Sequence, residues 1–382
     1  MSNVKKKMSF DWRAYRSVFA LILVVISLAF LTQGTFLSAR NLTNLTRQVA
    51  LNGILAVGMT YVILIGGIDL SVGSVVALSG VVAGICQVNY GLGSLPANIL
   101  WLGALISVVA SIVTGTVAGA FNGWLITRHR IAPFIITLGT MVIARGFALI
   151  FSEKKAISPM SDPFNFLGQG YLPGALTVGL ISFVALVAVG TILSRNDKTS
   201  ADYTAVGSTV VLSGVLMWMF VTYRGLPVPV LIFAIFGIVG ILILQRTRLG
   251  RFVLALGGNS EAAWLAGVPI QKITFGIYVT LGALAGLVGA ILAARLNSAF
   301  PNGGELFELD AIAAVVIGGT SLLGGVGTVR GSIMGAFFIG ALNNGMSLLN
   351  VDESYQKVIK GVIIILAVWM DMRQSGSTPM KK

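Results

Sequence analysis

The fold of this chain is decided by a pattern that residues 49–73 show, VALNGILAVGMTYVILIGGIDLSVG. An apolar run, residues 49–67, ends at Gly66-Gly67, and one acidic residue, Asp69, stands before the next apolar run. A transmembrane helix needs about 20 apolar residues. The pattern therefore predicts membrane-spanning helices that are joined by short, glycine-rich turns.

The same alternation recurs along the chain and predicts an all-α polytopic membrane protein of about twelve transmembrane helices, or about ten if some segments are broken or re-entrant. The Gly-rich run 310–324 is the segment expected to be broken or re-entrant, which a membrane tolerates only where protein or a cavity surrounds the backbone. The predicted spans are residues 18–36, 49–67, 72–88, 100–126, 131–151, 175–194, 204–222, 228–244, 273–294, 310–324, 332–349 and 357–372.

Composition supports a single membrane domain, residues 18–372, between cytosolic tails at 1–17 and 373–382. Of 382 residues, 56% are hydrophobic and 10% are charged, whereas soluble domains have about 25% charged residues. Cys86 and His129 are the only cysteine and histidine, too few for a Cys/His metal site or a Ser-His-Asp triad. No Walker-type phosphate-binding motif occurs. We therefore expect no catalytic residue, no metal and no cofactor in this chain.

The net charge of +13 raises the question of a nucleic-acid partner. With the N-terminus placed in the cytosol, seventeen of the 26 Lys and Arg residues fall on the cytosolic side and seven on the outer side. The positive-inside rule then predicts that both termini are cytosolic. The excess charge is an orientation signal, and no nucleic acid is needed to explain it.

Two distant segments share one pattern and predict a two-fold internal repeat. Residues 65–73 and 317–325 both read I-G-G-x-x-L-x-x-G. Glycine-interrupted apolar segments in corresponding halves point to a substrate path. The candidate path or gate residues in these segments are Gly66, Gly67, Asp69, Ser71, Gly318, Gly319 and Thr320.

Polar residues inside apolar runs are costly and mark further candidates. The ionisable ones are Asp69, Arg145, Asp310 and Lys360. The two aspartates are interpreted either as part of a gate or path, or as caps of the adjacent helices. The amides and hydroxyls can bind a neutral polyhydroxy substrate or join helix to helix, and both interpretations stay open. They are Asn122, Thr137, Asn297, Asn343 and Asn344.

Glycines at four-residue spacing inside the spans predict close helix packing, because small residues let backbones approach in lipid. The pairs and triplets are Gly80/Gly84, Gly115/Gly119/Gly123, Gly282/Gly286 and Gly331/Gly335.

The loop at 245–272, between the eighth and ninth predicted spans, predicts a short helix. Asn259 or Ser260 caps it, Glu261 suits its first turn, and Gly267 and Pro269 end it. Such a helix is interpreted either as a docking element for another protein or as an interfacial helix on anionic lipid. Its predicted contact residues are Asn259, Glu261, Ala262, Ala263, Ala266 and Gly267.

The chain resembles the ribose/xylose/galactose permease family of bacterial ABC importers over about residues 41–372. An insertion around residues 175–244 and the run Ala294–Ser298 look more similar to the xylose-type permeases, which favours D-xylose and leaves other monosaccharides open. The motifs that carry the resemblance are Gly66–Gly73, Ala132–Thr140, Gly257–Gly267 and Glu308–Gly319.

The resemblance implies a permease of the bacterial inner membrane that works as a homodimer in membrane lipid. Its partners would be a separate ABC ATPase subunit, which binds the ATP, and a periplasmic sugar-binding protein. The helix at Asn259–Gly267 would be the coupling helix that docks on the ATPase. The alternatives are an ion-gradient-driven secondary transporter, for which only Asp69 and Asp310 offer membrane carboxylates, and an assembly subunit without cargo.

Overall fold

The computed structural model describes residues 12–194 and 200–375, and these residues form an almost entirely helical protein. Most of the predicted tails, residues 1–11 and 376–382, lie outside the described part. The helices are α1 Trp12–Leu31, α2 Ala39–Leu64, α3 Val72–Gly84, α4 Leu100–His129, α5 Pro133–Phe151, α6 Asp162–Gln169, α7 Gly174–Leu193, α8 Ser200–Tyr223, α9 Val228–Arg246, α10 Arg248–Gly258, α11 Ser260–Leu265, α12 Ile270–Leu296, α13 Phe307–Ile317, α14 Val329–Leu348 and α15 Glu353–Ser375.

Shorter elements complete the described chain. A π-helical turn, Ile85–Asn89, extends α3, and single 3-10 turns lie at Thr35–Leu37 and Leu92–Ser94. Two short strands, β1 Tyr171–Leu172 and β2 Leu226–Pro227, pair antiparallel. This sheet joins the beginning of α7 to the beginning of α9.

Eight helices of the described chain are long and apolar enough to cross a membrane. They correspond to eight of the predicted spans, and the all-α polytopic membrane class is confirmed. The eight are Ala39–Leu64, Val72–Asn89, Leu100–His129, Pro133–Phe151, Gly174–Leu193, Asp202–Tyr223, Val228–Arg246 and Ile270–Leu296.

The other four predicted spans coincide with α1, α13, α14 and α15, so the count of twelve stays a prediction. The run 310–324 is helical only as far as Ile317. At 1.5 Å per residue, the 11 residues of α13 cover about 16 Å, half of a bilayer core. This is the geometry of a broken segment, because the helix ends at Gly318 and Gly319 before it is long enough to cross the bilayer core.

The core forms around α2 and α12, which are buried along most of their length. Helix α12 packs along α4, α3 and α2, while α14 packs against α2 and α13. Helices α7 and α8 pack on one another, and their outer faces are exposed. Of the three apolar runs in residues 175–244, only the first two are peripheral, because α9 packs on α2 and α14.

The predicted close packing of glycines is confirmed at the α4–α12 interface. A Cβ atom on Gly115 would meet the Gly282 carbonyl oxygen, and one on Gly119 would meet the Tyr278 carbonyl oxygen. The Ser111 Oγ donates to the carbonyl oxygen of Gly286 at 2.8 Å. Two helices can therefore run backbone to backbone along three turns.

The molecule has two distinct ends. The α11 end holds α10, α11 and the turn after α2, because Gly257 packs against Leu64. The α6 end holds α6 and the β1–β2 sheet, and Gly168 of α6 packs there against the backbone of Arg295, at the end of α12. Antiparallel α2 and α12 connect the two ends.

Candidate functional site

The two segments of the predicted repeat end their helices in the same way, although one residue out of the predicted register. Gly66 and Gly319 both adopt left-handed conformations, with φ of 76° and 86°. The amide after each glycine donates to a carbonyl five residues earlier, Gly67 to Val62 at 2.9 Å and Thr320 to Val315 at 3.1 Å. Both ends are Schellman caps, which require a glycine-like φ. The structural equivalent of Gly66 is thus Gly319, whereas the sequence pattern aligned it with Gly318.

The two segments also touch at the α11 end. The Gly325 amide donates to the Leu64 carbonyl oxygen at 2.9 Å. Gly257 packs against both of these groups, so that an added Cβ atom would collide with them. The breaks in the two halves and the end of α10 therefore form one backbone junction. A full two-fold repeat stays a prediction.

Asp69 lies in a buried polar cluster between the end of α2 and the beginning of α3. Its Oδ1 accepts hydrogen bonds from the Ser71 amide at 2.8 Å and from the Ser71 hydroxyl at 2.6 Å. The Asn122 amide donates to Ser71 Oγ at 3.0 Å, and Thr140 donates to Asn122 Oδ1 at 2.6 Å. These four residues are the Asp69 cluster. The cluster ties α3, α4 and α5 together at the break after α2.

A small cavity adjoins the Asp69 cluster and is lined by Asp69, Ser71, Asn122, Gly119 and Gly282, among others. Tyr278 is fully buried and lies next to Gly67, in the turn between α2 and α3, where its hydroxyl would collide with an added Cβ atom. This hydroxyl has no hydrogen-bond partner among the described residues. Thr137 donates to the Ile68 carbonyl oxygen at 3.4 Å. The sequence analysis selected Thr137 but not Thr140 or Tyr278, because the groups they contact, Asn122 and Gly67, lie on other helices or turns.

Replacing Asp69 with Ala is expected to destabilise the protein, because two buried donors of Ser71 lose their acceptor. Unpaired buried groups cost about 1–3 kcal/mol each. Asp352 provides a matched control: it accepts from the Ser354 amide at 2.9 Å in the same local geometry but is exposed. The hydrogen bonds from Ser354 lower the pKa of Asp352. Melting of the detergent-solubilised variants should show a large shift for Asp69→Ala and almost none for Asp352→Ala; equal shifts would contradict the cluster's contribution.

A second polar cluster surrounds Asp310 on α13. Its Oδ2 accepts from Asn52 Nδ2 at 3.3 Å, from Asn343 Nδ2 at 3.2 Å and from Lys360 Nζ at 3.3 Å. The Asp310 side chain is 5% exposed and that of Lys360 is 22% exposed. These four residues are the Asp310 cluster. They bring α2, α13, α14 and α15 together.

The Asp310 cluster lies about midway between the two ends of the membrane-spanning helices, because Asn52 is halfway along α2. The amide oxygens Oδ1 of Asn52 and Asn343 are buried there without any hydrogen-bond donor. Buried polar atoms are normally paired, so these two oxygens mark a place that can accept hydrogen bonds. The short helix α13 begins at Phe307, one turn before Asp310, and discontinuous helices are found where membrane proteins bind substrates.

The interpretation of Asp310 as a helix cap is wrong. Residue Leu306 precedes the first turn of α13, and Asp310 lies inside the helix with its side chain on Lys360. One carboxylate oxygen of Glu308, on the same helix, is buried without a partner beside Gly73. Arg145 holds the preceding loop by donating to the Pro301 and Gly303 carbonyl oxygens at 2.7 and 3.2 Å.

Two of the remaining candidates, Asn344 and Gly318, hold neighbouring helices together. Asn344 exchanges two hydrogen bonds with Asn41, at 2.9 and 3.1 Å, and so joins α14 to α2. Gly318 packs against Gly331, where it permits α13 and α14 to approach. Thr320 is fully buried, and its hydroxyl has no partner.

A family model described as branched-chain amino acid transport system / permease component matches residues 41–368. The chain belongs to this family.

Relatives of the permease cover almost its whole length. The xylose transport system permease protein of Escherichia coli strain K12 is 38% identical over 375 residues, 95% of this chain and 92% of that protein. The ribose import permease protein of Bacillus subtilis strain 168 is 36% identical over 360 residues, 93% and 92% of the two chains. No solved structure matches the chain. The resemblance to ribose/xylose/galactose-type permeases of ABC importers is thus confirmed, and the protein is a multi-pass permease of the inner membrane.

The loop between α9 and α12 of the permease forms two short helices at the α11 end. The Thr247 side chain caps α10 by accepting from Gly250, and Asn259 caps α11 by accepting from the Ala262 amide at 2.9 Å. Gly267, with a φ of 78°, ends the second helix. The predicted start and stop signals of this loop are confirmed.

One predicted contact residue of α11 faces the protein core and not the surface. Ala263 is buried in the core, because the helix has only six residues and turns this position inward. Glu261, Ala262, Ala266 and Gly267 are exposed as predicted. The most exposed side chains, Trp264 at 67% and Leu265 at 74%, were not selected from the sequence. The arginines and lysine around them, at positions 246, 248, 251 and 272, are exposed as well.

Proposed function

We propose that this permease is the transmembrane subunit of a binding-protein-dependent ABC importer that carries a monosaccharide, D-xylose or a related pentose or hexose, across the bacterial inner membrane. A periplasmic binding protein delivers the sugar, and ATP hydrolysis on a separate subunit drives transport. This chain has no catalytic site and needs no cofactor. Its relatives are permeases for xylose and for ribose, which supports the substrate class.

The Asp310 cluster is the observation that carries the proposal. A sugar presents several hydroxyl groups, each of which both donates and accepts hydrogen bonds. The unpaired amide oxygens of Asn52 and Asn343 can accept hydrogen bonds from sugar hydroxyls, while Lys360 and the amide nitrogens can donate hydrogen bonds to them. Asp310 and Lys360 keep their ion pair at 3.3 Å while a passing sugar binds to the free amide oxygens, so no charge is left unpaired. A neutral, polar, partly open cluster is what a transiently bound polyol requires.

The two helix breaks support a proposal for the rest of the transport mechanism. The Asp69 cluster and the junction of Leu64, Gly257 and Gly325 form the gate at the cytosolic, α11 end. Helix α11 is the coupling helix, and its movement reaches the gate through the adjoining helix α10, whose Gly257 packs against Leu64 and Gly325. A second copy of the permease completes the central path, so the assembly is a homodimer in the lipid bilayer. Both termini are cytosolic, and the permease domain spans residues 18–372.

Uptake of radiolabelled D-xylose and D-ribose into proteoliposomes tests the proposal. The vesicles contain the permease with its ATPase and its binding protein, and ATP is trapped inside or omitted. Uptake should require ATP and the binding protein and should persist when an uncoupler dissipates ion gradients. Uptake that an uncoupler abolishes at constant ATP would instead establish the ion-gradient-driven alternative, and ATPase activity that no sugar changes would favour an assembly subunit.

Replacing Asn343 with Ala is expected to lower the maximal uptake rate by roughly tenfold to a hundredfold. The change removes one donor to Asp310 and one acceptor for sugar, and a hydrogen bond to a charged group contributes about 1.5–3 kcal/mol. Asn302→Ala is the matched control, because Asn302 is exposed in the loop before α13. Equal uptake by the two variants, at equal amounts of inserted protein, would remove the Asp310 cluster from the path.

A further inference from the structure

Three arginines converge at the α6 end without an acidic partner. Arg47 comes from α2, Arg224 follows α8 and Arg295 ends α12. None of them has a carboxylate within ion-pair distance in the part of the chain that the structure describes. The guanidinium groups of Arg47 and Arg224 lie 5.4 and 6.0 Å from the centre of the same ring, that of Tyr171, and like charges repel one another, so this arrangement favours an anion from outside the chain.

The segment Gly168–Tyr171 holds these arginines. Arg47 donates to the Gly168 carbonyl oxygen at 2.9 Å and to the Tyr171 hydroxyl at 3.0 Å. The Arg224 guanidinium lies 6.0 Å from the Tyr171 ring centre and 5.5 Å from that of Tyr223. The backbone of Arg295 packs on Gly168 and accepts a hydrogen bond from Gln169. We call Arg47, Arg224, Arg295, Tyr171 and Tyr223 the arginine cluster.

One atom of the arginine cluster lacks a partner. The Nε of Arg47 is buried and donates to no acceptor, although its two terminal nitrogens are occupied. A buried, charged donor without an acceptor is costly. Such a donor in a built, positively charged site points to an absent anionic oxygen, and guanidinium groups match the oxygens of a phosphate in particular.

The surface next to the arginine cluster is apolar and exposed. On α8, Trp218 and Val221 are 52% and 48% exposed, and Val221 lies three residues before Arg224 in the sequence. Leu176 at the beginning of α7 is 62% exposed, and Phe166 on α6 is 56% exposed. An anion bound by the arginine cluster is therefore flanked by surface suited to an acyl chain. Tyrosines at this level also fit the aromatic belt of a membrane interface.

We infer that the arginine cluster binds the phosphate of an anionic phospholipid in the leaflet at the α6 end, with its acyl chains along α7 and α8. A free phosphate offers the same oxygens but gains nothing from the apolar face. The lipid combines the phosphate with a chain that covers Trp218 and Val221. This inference requires a membrane protein and does not depend on which solute the permease carries.

Titration of the purified full-length permease in a zwitterionic detergent tests the lipid site. The probes are dioleoyl phosphatidylglycerol, dioleoyl phosphatidylcholine and inorganic phosphate, and the readouts are the melting temperature and the number of lipids retained in native mass spectrometry. Phosphatidylglycerol should raise the melting temperature and remain bound, because a ligand of the folded state stabilises it. Phosphatidylcholine and inorganic phosphate should do neither.

The variants Arg224→Gln and Arg295→Gln should each weaken phosphatidylglycerol binding by about tenfold. Arg40→Gln is the matched control, since Arg40 is exposed near the beginning of α2 and has no partner among the described residues; it should bind like the unchanged protein. Equal binding by all three variants would overturn the inference. A melting shift with inorganic phosphate as large as with phosphatidylglycerol would also overturn it, because the site would then take a free anion. Sugar uptake is a separate readout, so a failure here leaves the proposed function untouched.

Discussion

The double variant Trp264→Glu and Leu265→Glu is expected to abolish ATP-driven sugar uptake while the permease remains folded and inserted. Both side chains are more than two-thirds exposed on a six-residue helix in a polar loop. Large apolar side chains of this kind dominate protein interfaces, where truncating one costs about 2 kcal/mol or more. A glutamate in their place also has to be desolvated on docking. Together the changes should weaken association with the ATPase by at least about a hundredfold.

Co-purification of the ATPase with the permease measures this effect independently of transport. Tyr355→Glu is the control, because Tyr355 is an aromatic residue of equal exposure, 68%, near the beginning of α15 and away from α11. It should leave ATPase binding unchanged. If the double variant binds the ATPase as tightly as the unchanged protein does, the coupling assignment is wrong, and the interpretation of α11 as an interfacial helix on anionic lipid takes its place.

The caps and the one buried residue of α11 determine which of its side chains are exposed. Asn259 fixes where the helix begins, and Gly267 with its left-handed backbone fixes where it ends. Ala263 anchors the helix on the core and leaves Trp264 and Leu265 on the outer side. The sequence predicted the helix and both of its ends, because caps and glycines are local signals. It did not predict the inward side, since six residues contain too few turns for a periodic pattern.

Contacts between residues far apart in the chain are the second feature that could not be predicted from the sequence. Asp310 was recognisable as a costly membrane carboxylate, whereas its partners Asn52 and Lys360 lie 258 and 50 positions away. Only packing of α2 and α15 against α13 brings them together. The same holds for Thr140, whose contact with Asn122 needs α4 and α5 side by side. Apolar length and glycine spacing, by contrast, specify helices and their close approach directly, which is why those features were predictable.

Replacing Gly115 with Val is expected to prevent the permease from folding. A Cβ atom at this position would collide with the Gly282 carbonyl oxygen and would lie 2.6 Å from the Gly286 amide nitrogen. These are backbone atoms of α12, which cannot turn aside as a flexible side chain can. Relief requires that α4 and α12 separate, and this breaks the Ser111 hydrogen bond to Gly286.

The expected cost of Gly115→Val is about 4 kcal/mol or more, at the upper end of what single substitutions do and a large part of the stability of a typical domain. Gly139→Val on α5 is the matched control, because Gly139 is exposed and nothing lies within 4 Å of an added Cβ atom. Size-exclusion chromatography of solubilised membranes should recover monodisperse Gly139→Val and little or no Gly115→Val. Comparable recovery would show that α4 and α12 do not approach backbone to backbone. The same contact between α4 and α12 includes Gly119 and Gly282, which line the cavity beside Asp69, so loss of this interface also removes one wall of that cavity.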